Sequence, residues 1–418
     1  MRSHSWIFLL LIGLSGHAQV IDSVHMVSLS YDEAKAILLK ENLTLLASYY
    51  DVTAAEAELI QSKLWTNPNL VWNQELYSVE QNKYFNFKNQ RLLQFEQMFS
   101  IAGKHTNTVR LSKVGVSISK LQLQDVLRSL LFELGDVYFS LHAAQQKQEL
   151  YQETLSRYDQ LISSAQEKQR VGSMAANEVL RLKSEQIAIR AQATQNNNEV
   201  LELMSGLRIM LNLTDRVNVQ TSEKEIALGN LQALYMLIDI ALDSRPDFKL
   251  QQLQVKYEEQ NLKLQQSLVM PDLTVGYQPH DKGSNYVRPY QGLTLEFNIP
   301  VFNRNQGNIK LAESRILQTQ LKSELAENTL RNEVKKSYEQ LINTQQGYQD
   351  FSQEFIQQTE ALNKNANENY QKKNINLLEF IDLQRIFIQN KTQHIELKNA
   401  YQKSINQLNF VVGKEIIN

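Results

Sequence analysis

The run Leu293-Thr294-Leu295-Glu296-Phe297-Asn298-Ile299-Pro300-Val301 puts an apolar side chain at every second position, with polar residues or Pro300 between them. A period of two marks a strand with one apolar and one polar face. The stretch upstream alternates in the same way, with Leu273, Val275 and Tyr277 against Thr274, Gly276 and Gln278. A polar loop, His280–Arg288, separates the two, so they read as strands over about 271–279 and 289–302. An earlier pair is shorter. Leu70 and Trp72, then Leu93, Phe95 and Phe99, give strands over about 68–78 and 90–100 across the polar loop Val79–Asn89.

Around these strands the sequence is built for very long helices. The six prolines stand at 68, 246, 271, 279, 289 and 300, so 69–245 and 301–418 contain none. An interior proline would cost about 3 kcal/mol. Long helices are expected over about 105–170, 177–211, 308–371 and 377–412, with breaks near Val171-Gly172-Ser173 and Lys373-Asn374. About sixty helical residues rise roughly 90 Å, longer than a globular domain is wide. In the returning helix Val179, Leu182, Gln186, Ile189, Ala193, Asn196, Val200, Leu203, Leu207 and Met210 step by three and four. The later copy of that frame runs Phe380, Leu383, Phe387, Asn390, His394, Leu397, Tyr401, Ser404, Leu408 and Val411. Such a seam packs as a coiled coil, and its polar members fix register more than they stabilise.

The whole pattern is written twice. Asn67-Pro68-Asn69-Leu70 recurs as Met270-Pro271-Asp272-Leu273 at an offset of 203, and Asn177-Glu178-Val179-Leu180 meets Leu378-Glu379-Phe380-Ile381. Self-similarity at a nearly constant offset is the sign of an internal duplication. Each copy opens with an amphipathic helix, 31–64 and then 233–268. The expected organisation is a first unit at 19–213, a polar linker at 214–232 and a second unit at 233–418.

Several function classes are excluded at this level. With 43 basic against 45 acidic side chains there is no basic excess for nucleic acid. The count of zero Cys removes disulfides, thiolate metal sites, Cys nucleophiles and a lipid-modified Cys. His25, His105, His142, His280 and His394 are scattered without metal-ligand spacing, and no metal or cofactor site is expected. No phosphate loop or nucleophile elbow stands out, so the chain reads as no enzyme. Arg2, the apolar run Trp6–Leu14 and Gly16-His17-Ala18 read as a cleaved secretory signal at 1–18. That run is too short for a bilayer span, which needs about 20 apolar residues.

Four short strands with an apolar face have little to cover that face beside helices this long. Strands of about 9–11 residues can cross a bilayer, but only in a closed barrel. Four are too few to close one, so the chain is expected to pool strands with copies of itself. A periplasmic coiled-coil scaffold without a channel is the alternative from another class.

The duplicated helix–strand–strand–helix pattern resembles the TolC-type outer membrane factors. The most specific stretch is Ile299-Pro300-Val301-Phe302-Asn303-Arg304-Asn305-Gln306-Gly307-Asn308, which is similar to the heavy-metal branch, cobalt–zinc–cadmium and copper–silver. Its first-copy counterpart, Phe99-Ser100-Ile101-Ala102-Gly103-Lys104, resembles the same branch. Both runs are strand-to-helix turns, where Gly and Asn suit unusual backbone angles.

This resemblance implies a mainly α fold with a small β part. It implies a homotrimer with a twelve-stranded outer-membrane barrel continued by a long periplasmic α-helical barrel. Such a duct would pass substrate, heavy-metal cations on this reading, from an inner-membrane RND-type transporter and a periplasmic adaptor. Drug efflux or type I secretion is the alternative within the class. By the same resemblance Tyr370, Glu379, Asp382 and Glu178 would form a periplasmic aperture. Glu379 and Asp382 lie three apart, on one helix face. Ile375 stands where the family often has an arginine, with Lys372 and Lys373 as substitutes. Adaptor docking would fall on Arg170, Val171, Gly172 and Ser173 and on Lys372, Lys373 and Asn374. Gly172 has no glycine counterpart in the second copy, so the two docking sites are not expected to be equivalent.

Overall fold

The computed structural model describes residues 25–74, 76–79, 82–84, 91–214, 217–222, 231–281 and 288–417. The expected signal at 1–18 lies outside them. The order is β1 (His25–Leu29), α1 (Tyr31–Glu41), α2 (Leu43–Ser62), β2 (Asn69–Gln74), β3 (Tyr77–Ser78), β4 (Lys83–Tyr84), β5 (Arg91–Phe99), α3 (Lys104–Arg170) and α4 (Ala176–Met210). It continues with β6 (Val217–Thr221), α5 (Leu234–Ser244), α6 (Pro246–Ser267), β7 (Leu273–Asp281), β8 (Tyr290–Glu296), α7 (Gln306–Asp350), α8 (Gln353–Gln371) and α9 (Leu377–Val412). The longest helix, α3, has 67 residues, about 100 Å of rise.

Duplication shows in the backbone as well as in the residues. Left-handed conformations recur at matching places: Gly103 with Asn305 ahead of α3 and α7, Gly172 with Lys373 at the hairpin turns, Asn212 with Gly413 after α4 and α9. The seam stepping by three and four faces inward along both returning helices. Leu182, Leu207, Phe380 and Leu408 are fully buried, and no member of either series is exposed.

Four expectations about the elements are corrected. The helix expected at 31–64 is two, because Asn42 is extended and caps α2 by accepting from the Leu45 amide at 2.9 Å. The helix at 233–268 breaks likewise at extended Arg245, where Pro246 opens α6. The helix at 308–371 is interrupted at Phe351 and Ser352; the Ser352 hydroxyl starts α8 by accepting from the Phe355 amide. The strand at 289–302 ends at Glu296, since its partner β7 begins at Leu273 and offers nothing opposite the residues beyond. One pairing was not anticipated: β1 runs parallel to β6, within the segment read as linker. Tyr138 on α3 joins them, its hydroxyl lying 2.8 Å from the Leu29 carbonyl and 3.0 Å from that of Ser222.

The buried core falls into three parts. One packs α1, α3 and α4 against β1 and β6 around Leu38, Leu134, Tyr138 and Leu207. Its second-copy equivalent surrounds Leu237, Leu330, Val334 and Leu408. The third lies towards the hairpin turns and mixes both copies, with Tyr158 and Leu182 against Phe380 and Phe387.

Strands β2, β5, β7 and β8 form one antiparallel sheet in that order, so the two copies share it through β5 and β7. Register puts Leu70, Trp72, Leu93, Phe95, Phe99, Leu273, Val275, Tyr277, Leu293 and Leu295 on one face. Asn69, Gln94, Glu96, Thr274, Gly276, Gln278 and Thr294 share the other. The apolar face is the outer one: Trp72 is 61% exposed, Leu293 69% and Leu295 59%. Gly276 and Gln278 are buried and Gln94 and Glu96 half-buried on the polar side. Among the described residues, no helix is long and apolar enough to cross a membrane.

Candidate functional site at the hairpin turns

Two helical hairpins, α3–α4 and α8–α9, turn at the same end of the molecule and share a core there. Their turns have the same backbone. The Ser173 amide donates to the Lys168 carbonyl at 2.8 Å with Gly172 left-handed between, and the Asn374 amide donates to the Asn369 carbonyl at 2.8 Å with Lys373 left-handed. The missing glycine therefore changes the residue at the second turn and not its backbone conformation. Lys373 takes the glycine conformation at φ 61, which disfavours a side chain by roughly 1 kcal/mol. Around the first turn Arg170 pairs with Glu167 at 3.0 Å, Val171 is exposed and the Ser173 hydroxyl bonds the Lys168 carbonyl. Lys372 pairs with Glu368 at 3.7 Å beside the second.

The four proposed aperture residues divide into two sets. Tyr370 stacks on Phe380 with ring centroids 4.5 Å apart. Burial and then the charge of Glu178 push its hydroxyl pKa up, and it packs against the core that holds Val179, next to that glutamate in α4. Glu379 sits in the first turn of α9, where its amide donates to Asn376 at 2.9 Å. Glu379 and Asp382 line an open groove of about 810 Å³ between α4 and α9, facing Glu185 and Arg385. Tyr370 is not in that groove.

Arg385 is the residue that sequence reasoning missed. Between Tyr370 and the acids, Ile375 packs against the shared core. Arg385 comes one turn after Asp382 and reaches across to Glu185 on α4 with two donors, Nε at 2.9 Å from one carboxylate oxygen and Nη2 on the other. A bidentate pair of this kind fixes geometry as well as charge. Beneath it the buried Tyr158 hydroxyl is pushed up in pKa, by burial first and then by Glu185. The signal was available as the i, i+3 spacing from Asp382.

The strand-to-helix turns are structural. The Lys104 ammonium is buried and meets Asp272 at 2.7 Å, tying α3 of the first copy to the approach of β7 in the second. Gly103 and Asn305 are both left-handed, and the Asn305 side chain donates to the Gln265 carbonyl at 2.8 Å. Asn303 accepts from the Asn305 amide at 3.0 Å and Gln306 from the Arg304 amide at 2.8 Å, closing the second turn, with open space around Gly307. Among the described residues no three His, Asp or Glu side chains gather as a metal site.

This architecture has known counterparts. Residues 237–414 match the family described as outer membrane efflux protein. The resemblance to TolC-like outer membrane factors therefore holds. A Salmonella typhimurium protein named as a probable outer membrane lipoprotein, SilC, is 22% identical over 297 residues, 67% of this chain. The chain spans 62% of that relative's length. The solved structure of CusC, whose study concerns folding and transmembrane channel formation, superposes with a TM-score of 0.72 at 17% identity over 92% of each chain. The open-state outer membrane channel MtrE of Neisseria gonorrhoeae gives 0.75 at 12% identity, covering 92% of this chain and 89% of that one. At these identities the likeness is one of fold: mostly helical, with a small sheet.

Proposed function

We propose that the protein is the outer-membrane exit duct of a tripartite efflux pump, conducting passively and carrying out no chemistry. The observation that carries this is the sheet turned inside out. Most of its apolar face is exposed, its polar face is the more sheltered of the two, and β2 and β8 have no strand partner on their outer edges among the described residues. Open edges and an uncovered apolar face suit lipid only once a barrel is closed. Three copies supply twelve strands, and because β2 and β8 point in opposite directions, β8 of one copy continues antiparallel into β2 of the next. The helices continue the tube across the periplasm as two units, 19–213 and 233–418.

The aperture is assigned to the hairpin turns, where Tyr370, Glu178, Glu379 and Asp382 come from both copies. Adaptor hairpins dock beside the exposed turns at 170–173 and 372–374, and an inner-membrane RND-type transporter loads the duct. The resemblance of the 299–308 run to the heavy-metal branch favours heavy-metal cations over drugs or secreted proteins as cargo. A soluble scaffold does not account for an exposed apolar sheet face.

Two measurements test this. Light scattering after detergent extraction from outer membranes should return a trimer; a water-soluble monomer would sink the duct. Deleting the gene should lower tolerance to cobalt, zinc, cadmium, copper or silver, and unchanged tolerance to all five would remove the metal cargo.

A further inference from the structure

The polar face of the sheet carries a carboxylate that the strands hold in place. Asn69, Glu96, Gly276 and Thr294 stand directly opposite one another, forming one row across all four strands. Both carboxylate oxygens of Glu96 are engaged: Asn69 donates to one at 3.2 Å and Gln94 to the other at 3.0 Å. The Gln94 amide lies over Gly276, where a Cβ would come within 2.6 Å of its nitrogen, and it reaches Thr294 at 3.5 Å. The row is thus flattened against the wall, and Glu96 is its charged member. Glu296 lies one polar row nearer the helices, opposite Thr274. Successive rows are about 7 Å apart. Within 69–74, 92–98, 273–278 and 290–296 the polar face holds no Lys or Arg.

We propose that Glu96, fixed by Asn69 and Gln94 and seconded by Glu296, gives the strand-walled part of the conduit a cation preference of its own, apart from the acids at the hairpin turns. This rests on the barrel reading above. In a trimer Glu96 and Glu296 become two acidic rings with no basic side chain from those strand segments beside them, and acidic rings favour cations. A closed wall of twelve strands has a radius of roughly 12 Å, from a strand spacing of about 4.8 Å and a tilt near 40°. The screening length at 0.1 M salt is about 10 Å. The rings therefore bias the whole lumen at low salt without excluding anions, and the preference fades as salt rises.

The test uses the full-length protein in planar bilayers under a KCl gradient, reading the reversal potential. The background is Glu178→Gln with Glu379→Gln and Asp382→Asn, so that the acids assigned to the aperture contribute nothing. A remaining cation preference that weakens with salt and is lost in Glu96→Gln, with Glu296→Gln adding to the loss, is the expected result. Thr294→Lys, on the same row, should move the reversal potential towards anions, and it keeps the question open to test if Glu96→Gln does not assemble. A conducting Glu96→Gln or Thr294→Lys channel with unchanged reversal potential would overturn the proposal and leave the duct standing. Wild-type protein that never conducts would overturn the duct itself.

Discussion

Leu295 and Thr294 are neighbours in β8 on opposite faces, and replacing each by Arg separates the barrel from every water-soluble alternative. Leu295 is 59% exposed and stands opposite Val275, one residue before the helical end of the edge strand β8. In a water-soluble protein, changing a residue this exposed stays within about 0.5 kcal/mol. On the lipid face of a barrel, Arg costs about 2–4 kcal/mol at the bilayer midplane, or roughly 6–12 kcal/mol over three copies, and less towards the interface, where the end of β8 lies. Even half of the smaller sum, about 3 kcal/mol, shifts the folded fraction by a factor of roughly 100. Thr294→Arg points into the polar side and should insert. The assay is the yield of trimer in outer-membrane fractions, compared at equal expression. Leu295→Arg should lose most of it while Thr294→Arg keeps most. Equal yields, or the reverse order, would refute the assignment of faces and with it the closed barrel.

Other perturbations follow from single contacts. Lys373→Gly should raise the melting temperature in detergent by relieving roughly 1 kcal/mol of backbone strain, whereas Gly172→Ala should lower it by a similar amount, both read by circular dichroism. Arg245→Ala removes the partner of Asp247 and Glu333, held at 2.5 and 2.6 Å, and should cost about 1.5 kcal/mol, because both carboxylates are partly exposed and Arg128 still faces Asp247 at 3.2 Å. Burial alone would raise the Asp247 carboxyl, but its hydrogen bond to Arg245 and the charges of Arg128 and Arg245 hold it below the usual carboxylate range. The linked stability is therefore present above the unfolded value near pH 4 and is lost as pH falls through the folded one, so thermal melts of Arg245→Ala should be less acid-sensitive than wild type. Arg385→Glu should loosen the packing of α4 on α9 and raise single-channel conductance, and the charge-swapped double variant with Glu185→Arg should restore it. The loss is small, about 0.5–1 kcal/mol, because the guanidinium is largely exposed.

Much of this architecture was legible because its determinants are local and periodic. Alternation over Leu273–Tyr277 and Leu293–Leu295 fixed which side chains share a face, since a strand has no other way to place them. The seam from Val179 to Met210 and from Phe380 to Val411 turned inward as its spacing requires, and the near-constant offset revealed the duplication. Interruptions were not legible where they depend on partners far along the chain. Asn42 reaches the Met210 carbonyl across the fold at 2.8 Å, Arg245 gathers Asp247 and Glu333, and β8 stops where β7 runs out. Pairing of β1 with β6 depends on Tyr138 and Gln145, which are separated from those strands by scores of residues.

At the hairpin turns the division is the same. Sequence by itself placed turns at 171–173 and 373–374 and acids at Glu178, Glu379 and Asp382, because helix periodicity and a break are properties of short stretches. Tertiary structure alone decided that Lys373 adopts the conformation of Gly172, that Tyr370 packs into a core shared with the other copy, and that Arg385 reaches Glu185. Those relations are set by how two hairpins pack side by side, and contacts between helices nearly 200 residues apart leave no periodic trace in either one.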